Sequence, residues 1–403
     1  MLSLNDCMPE LQPYRKAGTI QGIIIILIFM MPMMAIVALM PVVPAIAEHY
    51  KDMPNIMTWA PLVLSAPGLC IALVSPYAGF LIDRFGRKRI LLWTLFLYGF
   101  GGILPFFLNS FPALFGGRLV LGVGEAFVMT IGNVLLGDYF AGDQRAKWLM
   151  IQGIVAPAFG TSLLSVSGRL ASISWQYPFL LYSLAFLIAI GSWIFIFEPE
   201  RKFEMKVSQD AVKIPVKPIV RLCLITLVLG SIYFVYTLQF SLALDEMGIK
   251  DRTQIGDISA IASIAVPVGS IIFKLIAKKS VSLQLLVIAI FIGAGLTGIG
   301  LAGSKYSAMV FAFIQQLGCG MTIPVLIAWG LNSLPAEFRG RGMGFWSSAF
   351  FLGQFISPLM VSSVRQFAGT LLHTFAIFGI ICLLLGLANY FFSKKEAPAL
   401  ASN

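Results

Sequence analysis

The sequence predicts an all-α integral membrane protein of about twelve transmembrane helices in two six-helix halves, and three observations carry that prediction. Of the 403 residues, 58% are hydrophobic and only 11% are charged, whereas a soluble globular chain carries roughly 25% charged residues. Apolar runs of the ~20 residues needed to cross a bilayer recur along the whole chain, separated by short breaks bearing Gly, Pro or charge. The basic residues are also segregated: with the N-terminus in the cytoplasm, 21 of the 28 Lys and Arg fall on the cytoplasmic side.

The predicted spans are 19–44, 57–81, 90–108, 112–136, 146–169, 177–197, 219–244, 255–275, 282–302, 306–330, 342–363 and 369–392. The first is too long for a signal-peptide core and follows only Arg15 and Lys16, so it is expected to remain in the mature protein. The basic loops place both termini in the cytoplasm and make this a multi-pass protein of the cell membrane, the cytoplasmic (inner) membrane in a bacterium. A net charge of +10 raises nucleic acid as a partner, but its distribution along the chain makes it a topology signal, and no nucleic acid is expected.

The break 198–218 is the longest and divides the spans six and six. It reads as a cytoplasmic linker between an N-terminal half, 1–197, and a C-terminal half, 219–403. The halves carry a matching feature before their fifth spans. Asp138, Tyr139 and Arg145-Ala146 in one parallel Glu337, Phe338 and Arg341-Gly342 in the other, the second string running through Arg339.

The five cysteines (Cys7, Cys70, Cys223, Cys319, Cys382) stand singly, and His49 and His373 are isolated at predicted helix ends. Neither metal spacing nor a clustered catalytic set is present. The sequence also lacks a G-x-x-x-x-G-K-[ST] run for nucleotide phosphates. No enzyme activity, cofactor or metal is expected, and a non-transporting receptor or a membrane enzyme stands as the remote alternative.

Between the second and third spans, Gly79-Phe80-Leu81-Ile82-Asp83-Arg84-Phe85-Gly86-Arg87-Lys88-Arg89 resembles the G-x-L-x-D-R-x-G-R-K/R loop signature of the major facilitator superfamily. Gly79 there is expected to let two helices approach closely, Asp83 to cap a helix or pair with an Arg, and Gly86 to support a tight turn. The resemblance implies a latch between the halves, with Asp83, Arg84 and Arg87 as gating residues and Arg145 and Arg339 as further candidates. It also implies that a monomer transports a small-molecule substrate through the lipid bilayer.

Three strings resemble the twelve-helix drug:proton antiporter-like exporters within that superfamily. They are Leu39-Met40-Pro41-Val42-Val43-Pro44, Arg118 followed by the small-residue stripe Gly122, Gly124 and Ala126, and Gly153 to Gly160 with Pro157. The last is similar to an antiporter motif that bends and close-packs the fifth helix, with Ala156 where the motif has Gly. The implied function is efflux by antiport, with the proton gradient as driving force.

Only Arg118 and Glu125 lie well inside a predicted span, both on the fourth, while Asp257 lies near the outer end of the eighth. An ionisable group in hydrocarbon is costly and calls for a role. Seven residues apart, the two share a helix face about 10.5 Å apart along the axis, too far for a salt bridge. They are expected to line one cavity at two depths, Glu125 as proton carrier and Arg118 as its modulator; a permanently paired Glu125 that locks helices together is the alternative.

Asn133, Gln152, Tyr233, Tyr236, Gln239, Gln315, Gln316 and Gln354 are candidate polar cavity residues, with Trp346 as a stacking surface. Met30, Met31, Met33 and Met34 offer a soft apolar wall in a first span that has no acid. A rival to export is a symporter importing a small organic anion, with Arg118 as the counter-ion.

Overall fold

The computed structural model of the protein describes residues 17–199, 216–335 and 339–393, with the side chains of 339–341 outside that description. Among the described residues, twelve helices are long and apolar enough to cross a membrane. We number them α1 (Thr19–His49), α2 (Ile56–Phe85), α3 (Arg87–Phe107), α4 (Phe111–Tyr139), α5 (Gly142–Ile173), α6 (Tyr177–Phe195), α7 (Val216–Glu246), α8 (Arg252–Ile276), α9 (Val281–Gly300), α10 (Lys305–Ser333), α11 (Arg339–Ala368) and α12 (Leu371–Ser393).

Helices form because a chain in hydrocarbon must satisfy its backbone polar groups internally. Polar caps start several of them. Ser110 accepts from the Ala113 amide at 3.4 Å and Asp251 from the Thr253 amide at 2.9 Å. Gly86 alone separates α2 from α3, at φ +95, a backbone setting that suits glycine.

The first span is broken rather than straight. Its regular part ends at Val37, a 3-10 turn follows at Met40–Val42, and a short helix runs Val43–His49. Pro41 and Pro44 have no amide hydrogen to continue the ladder. The Leu39 amide bonds Ile36 O and the Val42 amide bonds Leu39 O, so the carbonyls of Ala35 and Ala38 lose their helical donors.

Helix pairing shows the two halves to be alike. Contacts α2–α4, α3–α4, α3–α6 and α1–α5 in the first half recur as α8–α10, α9–α10, α9–α12 and α7–α11 in the second. The halves meet along two joints, α2–α11 and α5–α8, which the same half-to-half correspondence interchanges.

Both joints are closed at the end carrying His49 and open toward the basic end. On α5–α8, a Cβ at Gly168 would lie 3.1 Å from Gly256 Cα, and Thr161 bonds Ser263 at 2.9 Å. On α2–α11, Thr58 bonds Ser362 at 2.5 Å and a Cβ at Gly68 would lie 2.9 Å from Gln354 Cδ. Further along the α2–α11 faces, about 16 Å nearer the basic end, Gly79 has open space around it, and so does Gly344 on α11; α5 likewise packs on the Arg252–Ser263 part of α8 and barely touches Ala265–Ile276. The result is a crevice between the halves, with its apex near Gly68, Gln354, Thr161 and Ser263.

Candidate functional site

The broken α1 explains where Arg118 goes. Its guanidinium is fully buried and donates to Val63 O at 3.2 Å, to Tyr182 OH at 3.0 Å and to Ala35 O. Tyr182 also donates to Ala35 O at 3.1 Å, and Ser167 takes the Ala38 carbonyl. One cation therefore ties α1, α2, α4 and α6 together, supplying the Ala35 carbonyl that the proline-broken turn of α1 left without a helical donor and the Val63 carbonyl of α2, four residues before Pro67. This differs from the expected cavity-lining role: Arg118 is inside the N-terminal half, with its donors committed to main chain and tyrosine.

Glu125 lies deeper on the same helix and is buried, with no hydrogen-bond partner at Oε2 among the described residues. It stands within electrostatic reach of Cys70, Tyr98 and Arg118. The small residues beside it make that interior position possible. A Cβ at Gly122 would lie 2.5 Å from Pro67 Cα on α2, and one at Gly124 would lie 2.7 Å from Thr94 O on α3. Glu125 is thus held where α2, α3 and α4 meet.

The other polar candidates divide by surroundings. Asn133 is exposed and donates to Met129 O on its own helix at 2.9 Å. Gln315 is buried against Gly295 of α9 and donates to Cys319 Sγ at 3.1 Å, so it belongs to the interior of the C-terminal half. Gln152 is half-buried on α5, and Gln239 and Gln316 are buried on α7 and α10. Gln354 sits in the α2–α11 joint with neither amide atom paired. Trp346 stacks on Phe350 with ring centres 5.9 Å apart.

At the basic end, Arg87 pairs with Asp83 at 3.3 Å and with Asp138 at 3.4 Å, joining α2, α3 and α4. Glu198 was not singled out from sequence, yet its carboxylate accepts from the Arg87 and Lys88 amides at 2.7 and 2.9 Å. It caps α3, where unpaired amides and the helix dipole favour an anion. A Cβ at Gly86 would come within 3.2 Å of that carboxylate. Arg84 lies over the Phe85 ring at 5.5 Å, and the Arg145 guanidinium occupies the space a side chain at Gly137 would need.

Two sequence expectations need correction. Gly79 makes no close helix approach, because the α2–α11 joint has already parted at its level. In the Gly153, Pro157 and Gly160 string, Gly160 packs under Met33 Sδ, but Gly153, two turns away on the same face, has open space around it. The latch counterpart falls partly beyond view: Glu337, Phe338 and the Arg339 and Arg341 side chains lie outside the described residues, as does Cys7.

Sequence reasoning also missed the closure at the opposite end. Arg252 is buried and bonds Asp245 at 2.8 Å within its half and Glu48 at 2.9 Å across to the other, while Arg169 pairs with Asp257 at 3.4 Å. A cleft of about 780 Å³ opens beside this network, lined by Glu48, His49, Trp175, Lys250 and Arg252 among others. These charges sit at or just beyond span ends, where sequence alone does not show which of them meet across the halves.

The sequence pattern of the Major Facilitator Superfamily matches residues 24–302 and 250–403. The chain is 26% identical to a bacillibactin exporter of Bacillus subtilis, covering 92% of this chain and 97% of that one. It is 22% identical to the quinolone resistance protein NorA of Staphylococcus aureus, covering 80% and 84%. Among solved structures, a POT family transporter in complex with 5-aminolevulinic acid superimposes with a TM-score of 0.76 at 15% identity, over 94% of this chain and 96% of that one. The human organic anion transporter MFSD10 gives 0.68 at 15% identity, over 92% and 99%. The chain belongs to the Major Facilitator Superfamily and is a membrane transporter rather than an enzyme.

Proposed function

We propose that this protein exports a small organic molecule across the cell membrane in exchange for protons, by rocking its two six-helix halves about the crevice between them. The basic end is the cytoplasmic face in this reading, with both termini and the 198–218 linker on that side, and a single chain forms the whole path. Export is supported by its similarity to a bacillibactin exporter and to a quinolone resistance protein, and alternating access by two joints that close at one end and part at the other.

Proton coupling rests on one observation. Glu125 is the only acidic side chain buried in the described spans, and its Oε2 is unpaired. A carboxylate is costly in a water-poor interior and cheap beside water or a cation, so its protonation follows access. The Arg118 bonds hold the neighbouring frame, and Cys70 and Tyr98 flank the acid. Import of an organic anion loses its counter-ion, because the Arg118 donors are already engaged within the half.

The test is proton movement in proteoliposomes carrying the purified protein, with cationic, neutral and anionic compounds, comparing wild type with Glu125→Gln. Substrate-dependent proton flux that the substitution abolishes supports the assignment. Coupled flux unchanged by Glu125→Gln moves the proton site elsewhere.

A further inference from the structure

Buried polar atoms without partners are distributed unevenly. Among the described residues, α11 holds Trp346 Nε1, Ser348 Oγ, both amide atoms of Gln354 and Ser357 Oγ, and α7 adds Thr226 Oγ1 and Ser241 Oγ. Each such group is costly to leave unpaired in a protein interior, so a cluster on two facing helices calls for a ligand or a change of state that satisfies it.

Residues 346, 350, 354 and 357 recur at helical spacing and share one face of α11. Phe350 lies 5.9 Å from Trp346, 5.5 Å from Tyr233 and 5.2 Å from Phe234, which makes an aromatic cluster between α7 and α11 with Phe350 and Phe234 buried inside it and Trp346 and Tyr233 half-buried at its edge. At its top stands Gln354, covered by Gly68 of the opposite half. The two ionisable groups buried in the middle of the spans are out of reach of this cluster. Arg118 is bonded into α1, α2 and α6, and Glu125 is enclosed where α2, α3 and α4 meet. A charged ligand here would be left unpaired in a low-dielectric site.

We propose that the α7–α11 face carrying Tyr233, Trp346, Phe350, Gln354 and Ser357 recognises the cargo, and that the cargo is an uncharged aromatic molecule with hydrogen-bonding groups. This rests on the transport reading above and adds the substrate class and the recognising residues. The ring of the cargo stacks on Trp346, the half-buried edge of that cluster, as an offset aromatic pair. The donor and acceptor of the cargo meet the Gln354 amide as α2 moves off it. Recognition is thereby tied to the parting of the α2–α11 joint, since the amide is uncovered only when Gly68 withdraws.

The experiment is a binding measurement on the detergent-solubilised full chain with matched probes: 2-naphthamide, its trimethylammonium derivative and its sulfonate. The neutral probe binds and the two charged ones bind at least ~10-fold more weakly. Gln354→Leu weakens the neutral probe about tenfold while leaving the unfolding temperature unchanged or raised, because it removes an unpaired amide. Trp346→Phe keeps the ring and gives a smaller loss. Equal or tighter binding of a charged probe, binding of none, or a folded Gln354→Leu with unaltered affinity overturns the proposal. Binding is read without flux, so a protein that binds the neutral probe but moves no protons in exchange for it refutes proton-coupled export and leaves the recognition face standing.

Discussion

Arg252 at the start of α8 donates through Nη2 to Glu48 Oε2 at 2.9 Å, joining the two halves at the end opposite the basic loops. Its Nη1 is held at 2.8 Å by Asp245, so the guanidinium is fixed by its own half before it reaches across. Glu48 is largely solvated, with a side-chain exposure of 77%. The cross-half bond is therefore of surface strength, about 0.2–1 kcal/mol, enough to bias a rocking equilibrium and weak enough to break in each cycle.

Glu48→Gln accordingly shifts the population toward the state open at the His49 end by about two- to fivefold. A single cysteine at Ser263, in an otherwise cysteine-free chain, reports this shift as faster labelling by a membrane-impermeant reagent from that side. Unchanged labelling removes the pair from the gate.

Arg118→Met leaves the Val63 carbonyl without its donor, leaves Ala35 O with the Tyr182 hydroxyl alone, and removes the donor that the Tyr182 oxygen accepts from, all in the interior of the N-terminal half. The expected loss is about 3 kcal/mol, read as a fall in unfolding temperature. Arg118→Lys does not restore it, because one ammonium cannot span three acceptors arranged around a planar fork. Full rescue by Lys contradicts the clip role.

Gly168 and Gly256 let α5 and α8 touch along their backbones. Gly168→Val inserts a branched side chain into that contact and keeps the joint from closing at the His49 end. Transport falls by an order of magnitude or more, about 1.4 kcal/mol per tenfold, while the protein still inserts and retains its helical circular dichroism. Wild-type transport by this variant removes closure of α5–α8 from the cycle.

Glu198→Ala leaves the first amides of α3 without their anionic cap and costs about 1 kcal/mol. Gly86→Ala strains a φ of +95 and crowds the same carboxylate. Because both act on one cap, their effects on unfolding temperature combine less than additively. Strict additivity separates the two residues.

The twelve spans, the basic loops and the superfamily signature were legible because hydropathy and charge placement act locally along the chain. The observed α2, Ile56–Phe85, differs from the predicted 57–81 only by carrying the helix through Asp83 to the glycine turn. The first span shows where local reading stops: Pro41 and Pro44 signal a break, but the consequence, an Ala35 carbonyl served by Arg118 eighty-three residues later, is tertiary. Glu198, Gly168 and Glu48 were invisible for the same reason, since each acts through a partner distant in sequence. Gly79 was misread because the signature glycine faces a joint that is parted in this state.

The most direct test of the two-half rocking account is a pair of spin-label distances in the reconstituted protein, one between Asp52 and Gln366 at the His49 end and one between Lys147 and Lys278 at the basic end. The account predicts opposed changes when the membrane is acidified or cargo is added, the first distance lengthening as the second shortens. Distances that both hold still, or that change in the same direction, contradict it.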